Sequence, residues 1–333
     1  FAALGILLVA TALMAGGYPA FFISAFKSIQ IFRGTTRFGG INLLTKSLLV
    51  FQFSISLAAV IFAIAFYFNS KFQREFDLGY SWQSVVQVPL DNPQKFSALK
   101  NRLESNPLFH SIAGSQHHIY ASSYKATARA DNQVEREVDV LNVGDAYFET
   151  VNVRLISGRV FDKERVSDVS ESIIVNEEFV RVFDLGEQAL GKRMTLNDST
   201  HVYICGVVRD VYLQALFQPL SPLAFRYVTP ADYRFLVATT SPDQVVTANN
   251  IIRAEWQKLY PNELYPGRLM EERMVMALEH FDSVVLLYTF LGAVAVIMSV
   301  SGLYSLVSLN LQKRTKELGI RKILGASMNH IIV

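Results

Sequence analysis

A single cysteine, Cys205, in 333 residues excludes an internal disulfide framework and any cysteine-based zinc site. Charge is also scarce. Asp, Glu, Lys and Arg make up 18% of the chain, against about 25% in a soluble domain. Hydrophobic residues reach 51%, so the shortfall argues against an ordinary soluble enzyme and equally against a disordered chain. The net charge of +2 creates no basic field, and no nucleic-acid partner is expected.

Catalytic signatures are missing too. There is no Gly-x-Ser-x-Gly and no His-Glu-x-x-His. Gly186 to Lys192 has the spacing of a phosphate-binding loop, but Arg193 stands where Ser or Thr would hold Mg²⁺. A turn ahead of a strand is the better reading. Ser24-x-x-Lys27 and Ser97-x-x-Lys100 lack the partner motifs that would make either a nucleophile site. His117 and His118 are adjacent, so on an extended strand they would point to opposite faces and could not share a metal. Cys205 sits in an apolar run and reads as a buried, inert thiol. No cofactor, no metal and no enzyme activity of the chain's own is expected.

The scarcity of charge is local. Residues 1–26, 47–70 and 283–312 contain no ionisable Asp, Glu, Lys or Arg. A helix crosses the hydrocarbon core with about 20 apolar residues, so each stretch is long enough. The first lacks the basic leader of a signal peptide. Lys27, Arg33, Arg37 and Lys46 lie between the first two stretches. Lys313, Arg314, Lys316, Arg321 and Lys322 follow the third, with Glu317 as the one acid. Both segments are cytoplasmic by the positive-inside rule. They hold nine of the 31 basic residues and one of the 29 acids. With +2 overall, residues 71–282 therefore carry −6. That region is outside, and three spans give the parity this needs.

Residues 71–282 are expected to fold as an α+β domain. Strands are predicted at 84–90, 136–143, 201–208, 222–228 and 234–239, all rich in β-branched or aromatic residues. Helices are predicted at 93–105, 176–183 and 242–259, the last with Ser241 as its N-cap. A further helix, 271–282, is expected to run into the third span. The polar stretches 121–133 and 162–172 read as loops. The segment Lys313-Arg-Thr-Lys-Glu-Leu-Gly-Ile-Arg-Lys-Ile-Leu-Gly-Ala-Ser327 reads as a short two-faced helix. Lys313, Glu317 and Arg321 are spaced four apart on it, so Glu317 can pair with either cation. Such a helix suits docking to a protein better than resting on lipid headgroups.

That last segment closely resembles the cytoplasmic segment of FtsX-like and MacB-like ABC transporter permeases, following the second helix of their four-helix unit. Tyr18-Pro19-Ala20 through Gly34 is similar to the end of such a unit's fourth helix. Tyr147-Phe-Glu-Thr150, Gly158-Arg-Val-Phe161, Val175-Asn-Glu177, Gly191-Lys-Arg193 and Gly206-Val-Val-Arg-Asp210 resemble the extracytoplasmic domain of the same family.

The resemblance implies integral membrane helical spans plus a large extracytoplasmic α+β domain, the MacB-like periplasmic core domain. Residues 1–26 would be the last helix of a first permease unit, 27–46 a cytoplasmic linker and 47–70 the first helix of a second unit. Residues 71–282 would be the outer domain, with 126–221 inserted as a subdomain into 81–125 and 222–275. Residues 283–312 would be the next span, 313–327 the coupling segment, and 328–333 the start of a further span in a longer protein. The resemblance implies a cytoplasmic ABC ATPase as a separate partner, contacted through Arg314, Glu317, Gly319, Arg321, Lys322 and Gly325. The chain would sit in the bacterial inner membrane, in contact with lipid, with an extracytoplasmic adaptor or hydrolase as a further partner. The expected function is coupling of ATP hydrolysis to movement of the outer domain, for export of an antimicrobial, peptide or lipoprotein-like substrate. The alternatives are a transmembrane switch acting on an outer partner, and a membrane sensor with no ATPase. One departure is visible: in the MacB exporter the ATPase precedes the permease, whereas here a permease helix lies upstream.

Overall fold

The computed structural model describes residues 43–130, 135–197, 200–216 and 218–323, together with Gly5, Val9, Thr11 and Leu13. Two compact units emerge: Phe1–Phe62 with Thr289–Val333, and Ala63–Tyr288.

The elements in chain order are α1 (Leu43–Glu75), β1 (Val85–Pro89), α2 (Gln94–Leu103), β2 (Ser111–Ser115), β3 (Tyr124–Ala130) and β4 (Arg136–Val143). Then come α3 (Tyr147–Thr150), β5 (Leu155–Gly158), α4 (Val166–Ser170), β6 (Ser172–Asn176), α5 (Glu177–Val182), β7 (Arg193–Leu196) and β8 (Thr200–Val208). The last are β9 (Leu213–Leu216), β10 (Leu223–Tyr227), β11 (Phe235–Thr239), α6 (Val245–Leu259), β12 (Arg268–Leu269) and α7 (Met270–Ile323).

Among the described residues two helical stretches are long and apolar enough to cross a membrane, Ser47–Glu75 in α1 and Ser283–Ser308 in α7. Only 6% and 11% of their apolar stretches are buried, which separates them from core helices of a soluble fold. Phe51, Phe62, Leu286, Phe290 and Ile297 are all exposed. In the first unit these helices approach through small residues, as membrane helices do. Ser56 and Ser299 are buried there. A Cβ added to Gly302 would lie 3.2 Å from the Leu49 side chain. The stretch expected as a first span, 1–26, lies outside the described residues apart from four positions, as does the linker to residue 42.

The outer domain has two lobes. In the layered lobe, strands run in the order β12-β1-β11-β2, all antiparallel. Strand β1 begins Val-Val-Gln-Val, and all four residues are buried because both faces are covered. Val86, Val88, Leu236 and Ala238 face α2 and α6, where Phe96, Leu99, Leu103, Ile252 and Trp256 complete the core. Val85 and Val237 turn the other way, into a cluster shared with the second lobe.

That second lobe is a closed ring: β4-β3-β7-β8-β6-β10 and back to β4. The β10–β4 and β6–β8 pairs are parallel, and the other four antiparallel. Closure leaves no free edge in the ring. Its interior is filled by alternate residues of each strand. On β3 these are Ala126, Ala128 and Ala130, while Lys125, Thr127 and Arg129 face out. On β8, Val202 and Ile204 point in. There the pairing with β6 jumps from Ile204 to Gly206, so Cys205 is an extra, bulged residue and Val207 re-enters the interior.

Several expectations need correcting. The stretch 121–133 is not simply loop, because β3 runs through it. Its inward residues are alanines, which lack the strand preference of branched side chains, and charged residues alternate with them. The stretch 162–172 contains the short helix α4. Ser241 precedes a 3₁₀ turn at Pro242–Gln244 and makes no capping hydrogen bond. The helix expected at 271–282 is present and continuous with the apolar stretch Ser283–Ser308, since α7 begins at Met270. Strand β10, at Leu223–Tyr227, pairs with β4 and β6. Its place in the ring sets it with the strands on the other side of the 221/222 boundary implied by the resemblance.

Candidate functional site

The residues expected to meet an ATPase lie at the end of α7. Its backbone is helical through Ile323, so Gly319 does not interrupt it. The side chains of Arg314, Glu317, Arg321 and Lys322, and Gly325 entirely, lie outside the described residues, as does the Tyr18–Gly34 segment.

The outer-domain motifs can be followed side chain by side chain, and they build the ring lobe. Gly158 has φ +78, and a Cβ there would lie 2.3 Å from the Cys205 carbonyl oxygen. A Cβ on Gly206 would come 2.4 Å from the Arg159 carbonyl oxygen. The two glycines thus let β5 lie against the β8 bulge. Beside them Arg159 forms a forked pair with Asp168, whose side chain is fully buried; one of the two bonds is 2.7 Å. The Asp162 N–H and the Ser172 hydroxyl donate to the same carboxylate at 2.9 and 2.8 Å. Burial works to raise the Asp168 pKa. The Arg159 guanidinium and these two donors outweigh it and hold the carboxyl at about 2. Cys205 is half-buried, and burial raises its thiol pKa to about 11, so the thiolate is disfavoured.

Asn176 is fully buried and caps α5. Its Oδ1 accepts N–H bonds from Phe179 at 3.0 Å and Leu223 at 2.9 Å, and its Nδ2 donates to the Ser221 carbonyl. Gly191, with φ +74, turns the chain into β7, so the loop-like Gly186–Lys192 run is a turn ahead of a strand. Tyr147 of α3 is buried in the cluster between the lobes, and its hydroxyl lies 2.8 Å from His118 Nδ1. His118 is buried, while His117 is half-buried and accepts the Asn142 N–H at 3.2 Å. Burial lowers the His117 pKa and raises that of Tyr147. The two histidines follow β2 in a turn rather than in a strand. Among the described residues no three His, Cys, Asp or Glu side chains are grouped to hold a metal ion.

Two adjoining cavities of about 260 and 270 Å³ open on the outer domain. His118, Tyr120 and Ser122 line the first, and Lys125, Asp139 and Pro219 the second. Leu213 and Gln214 wall both. Lys125 reaches Asp139 at 3.1 Å, so the most charged part of this surface is already paired. Each cavity is smaller than a typical ligand pocket; the first brings His118 and Ser122 into one lining, and the second holds the Lys125–Asp139 pair. The outer-domain motif residues close a ring and fix its turns.

The family described as MacB-like periplasmic core domain matches residues 48–255, more than half of the chain. The chain belongs to this family. Among curated proteins it is similar to the macrolide export ATP-binding/permease protein MacB of Bartonella henselae, 23% identical over 217 residues. It is similar also to that of Bartonella quintana, 20% identical over 216 residues. In both cases the match covers 60% of this chain and 31% of the relative, so the chain spans under a third of the curated proteins it matches. Two solved structures are similar. The periplasmic region of MacB from Actinobacillus actinomycetemcomitans is 13% identical, with a TM-score of 0.43, covering 62% of this chain and 97% of that one. The extracellular domain of the ABC-type transporter YknZ from Gram-positive bacteria is 12% identical, with a TM-score of 0.40, covering 56% and 98%. The family assignment gives the chain a MacB-like periplasmic core domain, and among the described residues two helical stretches beside it are long and apolar enough to cross a membrane.

Sequence reasoning missed several residues that matter to this architecture. Asp168 fell in a stretch read as loop, although its partner Arg159 stood in a motif. Asp77 and Gly79 were not singled out. An Asp-x-Gly directly after an apolar helix was the available signal, since Asp in such a turn accepts the N–H two residues on.

Proposed function

We propose that this permease couples ATP hydrolysis by a separate cytoplasmic ATPase to movement of the outer domain, and that export of an antimicrobial, peptide or lipoprotein-like substrate follows from that movement. One observation carries the reading. The single helix Met270–Ile323 begins with Met270 buried in the outer-domain core, continues through the apolar stretch 283–308, and ends in the charged run from Lys313. A continuous helix is stiff along its axis, so a push at one end is felt at the other. The spans support the same idea chemically. No ionisable Asp, Glu, Lys or Arg interrupts 47–70 or 283–312, whereas helices lining a polar path carry such groups. In this reading the helices are levers, and Arg314, Glu317, Gly319, Arg321, Lys322 and Gly325 form the face that meets the ATPase. The protein is multi-pass in the inner membrane, with residues 71–282 outside and 313–327 in the cytoplasm.

The test is co-purification of the full-length protein from its native membranes in mild detergent, with identification of what accompanies it. A stoichiometric P-loop ATPase, lost when Glu317→Ala and Arg321→Ala are combined, is the expected result. An extracytoplasmic hydrolase alongside that ATPase would select the switch over the exporter. Absence of any ATPase, under conditions that hold a known transporter together, would overturn the reading in favour of a sensor.

A further inference from the structure

The point where α1 hands the chain to the outer domain is built more tightly than a tether requires. Just past the helix, Phe76 packs edge-on against Tyr212 with ring centroids 5.2 Å apart. Asp77 then uses both carboxylate oxygens. Oδ1 accepts the Gly79 N–H at 2.9 Å, and Oδ2 accepts Arg209 Nη1 at 2.8 Å, across 132 residues of sequence. The Tyr212 N–H donates to the Leu78 carbonyl at 3.1 Å. Gly79 has φ +85, and a Cβ there would lie 1.9 Å from the Asp210 carbonyl oxygen. Two backbones therefore touch with no side chain between them. Leu78 and Val211 are buried on either side.

The other half of this contact reaches further into the ring lobe. The Arg209 N–H donates to the Arg154 carbonyl at 2.9 Å, just ahead of β5. The Asp210 N–H donates to Glu177 Oε2 at 3.1 Å, and Asp210 Oδ1 accepts the Glu178 N–H at 2.8 Å. Its Oδ2 lies 3.4 Å from Arg181 Nη2. Arg209 and Asp210 thus hold the end of α1 on one side and the start of α5 on the other. Three residues on, Leu213 begins the wall of both cavities. Anchoring alone would need only the buried Leu78. The extra ion pair, the backbone contact and the doubly used Asp77 remove the remaining freedom to swivel.

We infer that Asp77, Gly79, Arg209 and Asp210 form a rigid joint that makes the outer end of α1 and the ring lobe move as one body. Its use in transmitting movement rests on the function proposed above; its rigidity does not. The ion pair is exposed, with 52% and 60% of its two side chains accessible. Its loss is therefore expected to leave the fold intact and to release the joint.

The experiment uses the full-length protein in lipid nanodiscs, with Cys205→Ser and any other cysteine replaced. Spin labels go at Lys71→Cys, in the last turns of α1, and Lys192→Cys, on the ring lobe; pulsed electron paramagnetic resonance reads the distance between them. The joint predicts one narrow distribution. Asp77→Asn and Arg209→Gln should each lose that narrowness with no change in thermal unfolding. Arg209→Lys, which keeps a cation facing Asp77 and leaves the Gly79 N–H bond to Asp77 intact, should keep the distribution narrow. A broad distribution in the unaltered protein, or a narrow one persisting in both single variants, overturns the joint. Failure to co-purify an ATPase would overturn the proposed function while leaving the joint standing, since the distances need no nucleotide.

Discussion

The two lobes of the outer domain solve one problem in different ways. The layered lobe leaves its four-stranded sheet open and covers it with α2 and α6, anchored on large buried side chains such as Trp256, Phe96 and Leu99. The ring lobe closes six strands on themselves, and its core sets the three alanines of β3 alongside Phe179 and Phe183. Covering a sheet asks for apolar residues at the right period, and many residues serve. Closing a ring asks for particular backbone geometry at particular points. The outer-domain motifs that carry the family resemblance all fall in the ring lobe or where it meets its neighbour: the positive-φ Gly158, the bulge at Cys205 and Gly206, the Asn176 cap, the turn at Gly191. Geometry that few residues can adopt leaves a legible signature, and packing that many can supply does not.

The contrast can be tested by removing one anchor of each kind. The largest effect is expected from Trp256→Ala. Trp256 is 2% exposed and sits between α6, the β1 sheet and Tyr260. Its loss should cost about 3–5 kcal/mol, read as a lowered unfolding midpoint of the full-length protein in detergent. If the layered lobe repacked and lost little, size would not be what anchors it.

Asp168→Ala should cost the ring lobe somewhat less, about 2–3 kcal/mol, because three donors lose their acceptor and one is a guanidinium. This site also carries a pH signature. The carboxyl has a pKa of about 2 in the fold, below the ordinary value of 3.8. Its contribution is therefore complete above about pH 4 and is lost as pH falls toward 2. Acid titration of stability should show a loss over that window of about 2 kcal/mol, absent from Asp168→Ala.

The smallest effect is expected from the layered lobe's own buried charge. Lys95 is 8% exposed, pairs with Asp91 and Glu263, and lies over the rings of Trp256 and Tyr260 at 5.2 and 4.7 Å. Burial works against the ammonium, and the two carboxylates outweigh it, leaving the pKa raised. Here the acids are 71% and 44% accessible and return to water when the lysine is lost. Lys95→Met should cost under about 1 kcal/mol by thermal unfolding. A cost as large as that of Asp168→Ala would erase the distinction between a buried charge whose partners reach water and one whose partners are held inside a closure.

Much of the layered lobe and both apolar helices were legible beforehand. Val85–Val88 and Phe235–Thr239 are branched or aromatic runs, and 93–105 and 242–259 have helical periodicity. Strand β3 was not legible, because alanine inside a ring looks like any polar, alanine-rich loop until its neighbours close around it. Strands β6 and β7 were hidden similarly, one behind a stretch read as loop and the other behind a turn. The coupling residues remain a reading of the motif alone. The Asp77-x-Gly79 turn could have been read, but its pairing with Arg209 could not, because 132 residues separate the two.

By itself the sequence determined where the chain is apolar and where it is charged. Charge-free runs and the sign of the charges flanking them are one-dimensional properties, and each acts on the solvent directly. Only the tertiary structure decided which residues answer one another across the chain: Gly158 to Cys205, Asn176 to Leu223, Asp77 to Arg209. Those contacts depend on a ring closing with one register. Closure is a property of all six strands together, and no local stretch of the chain contains it.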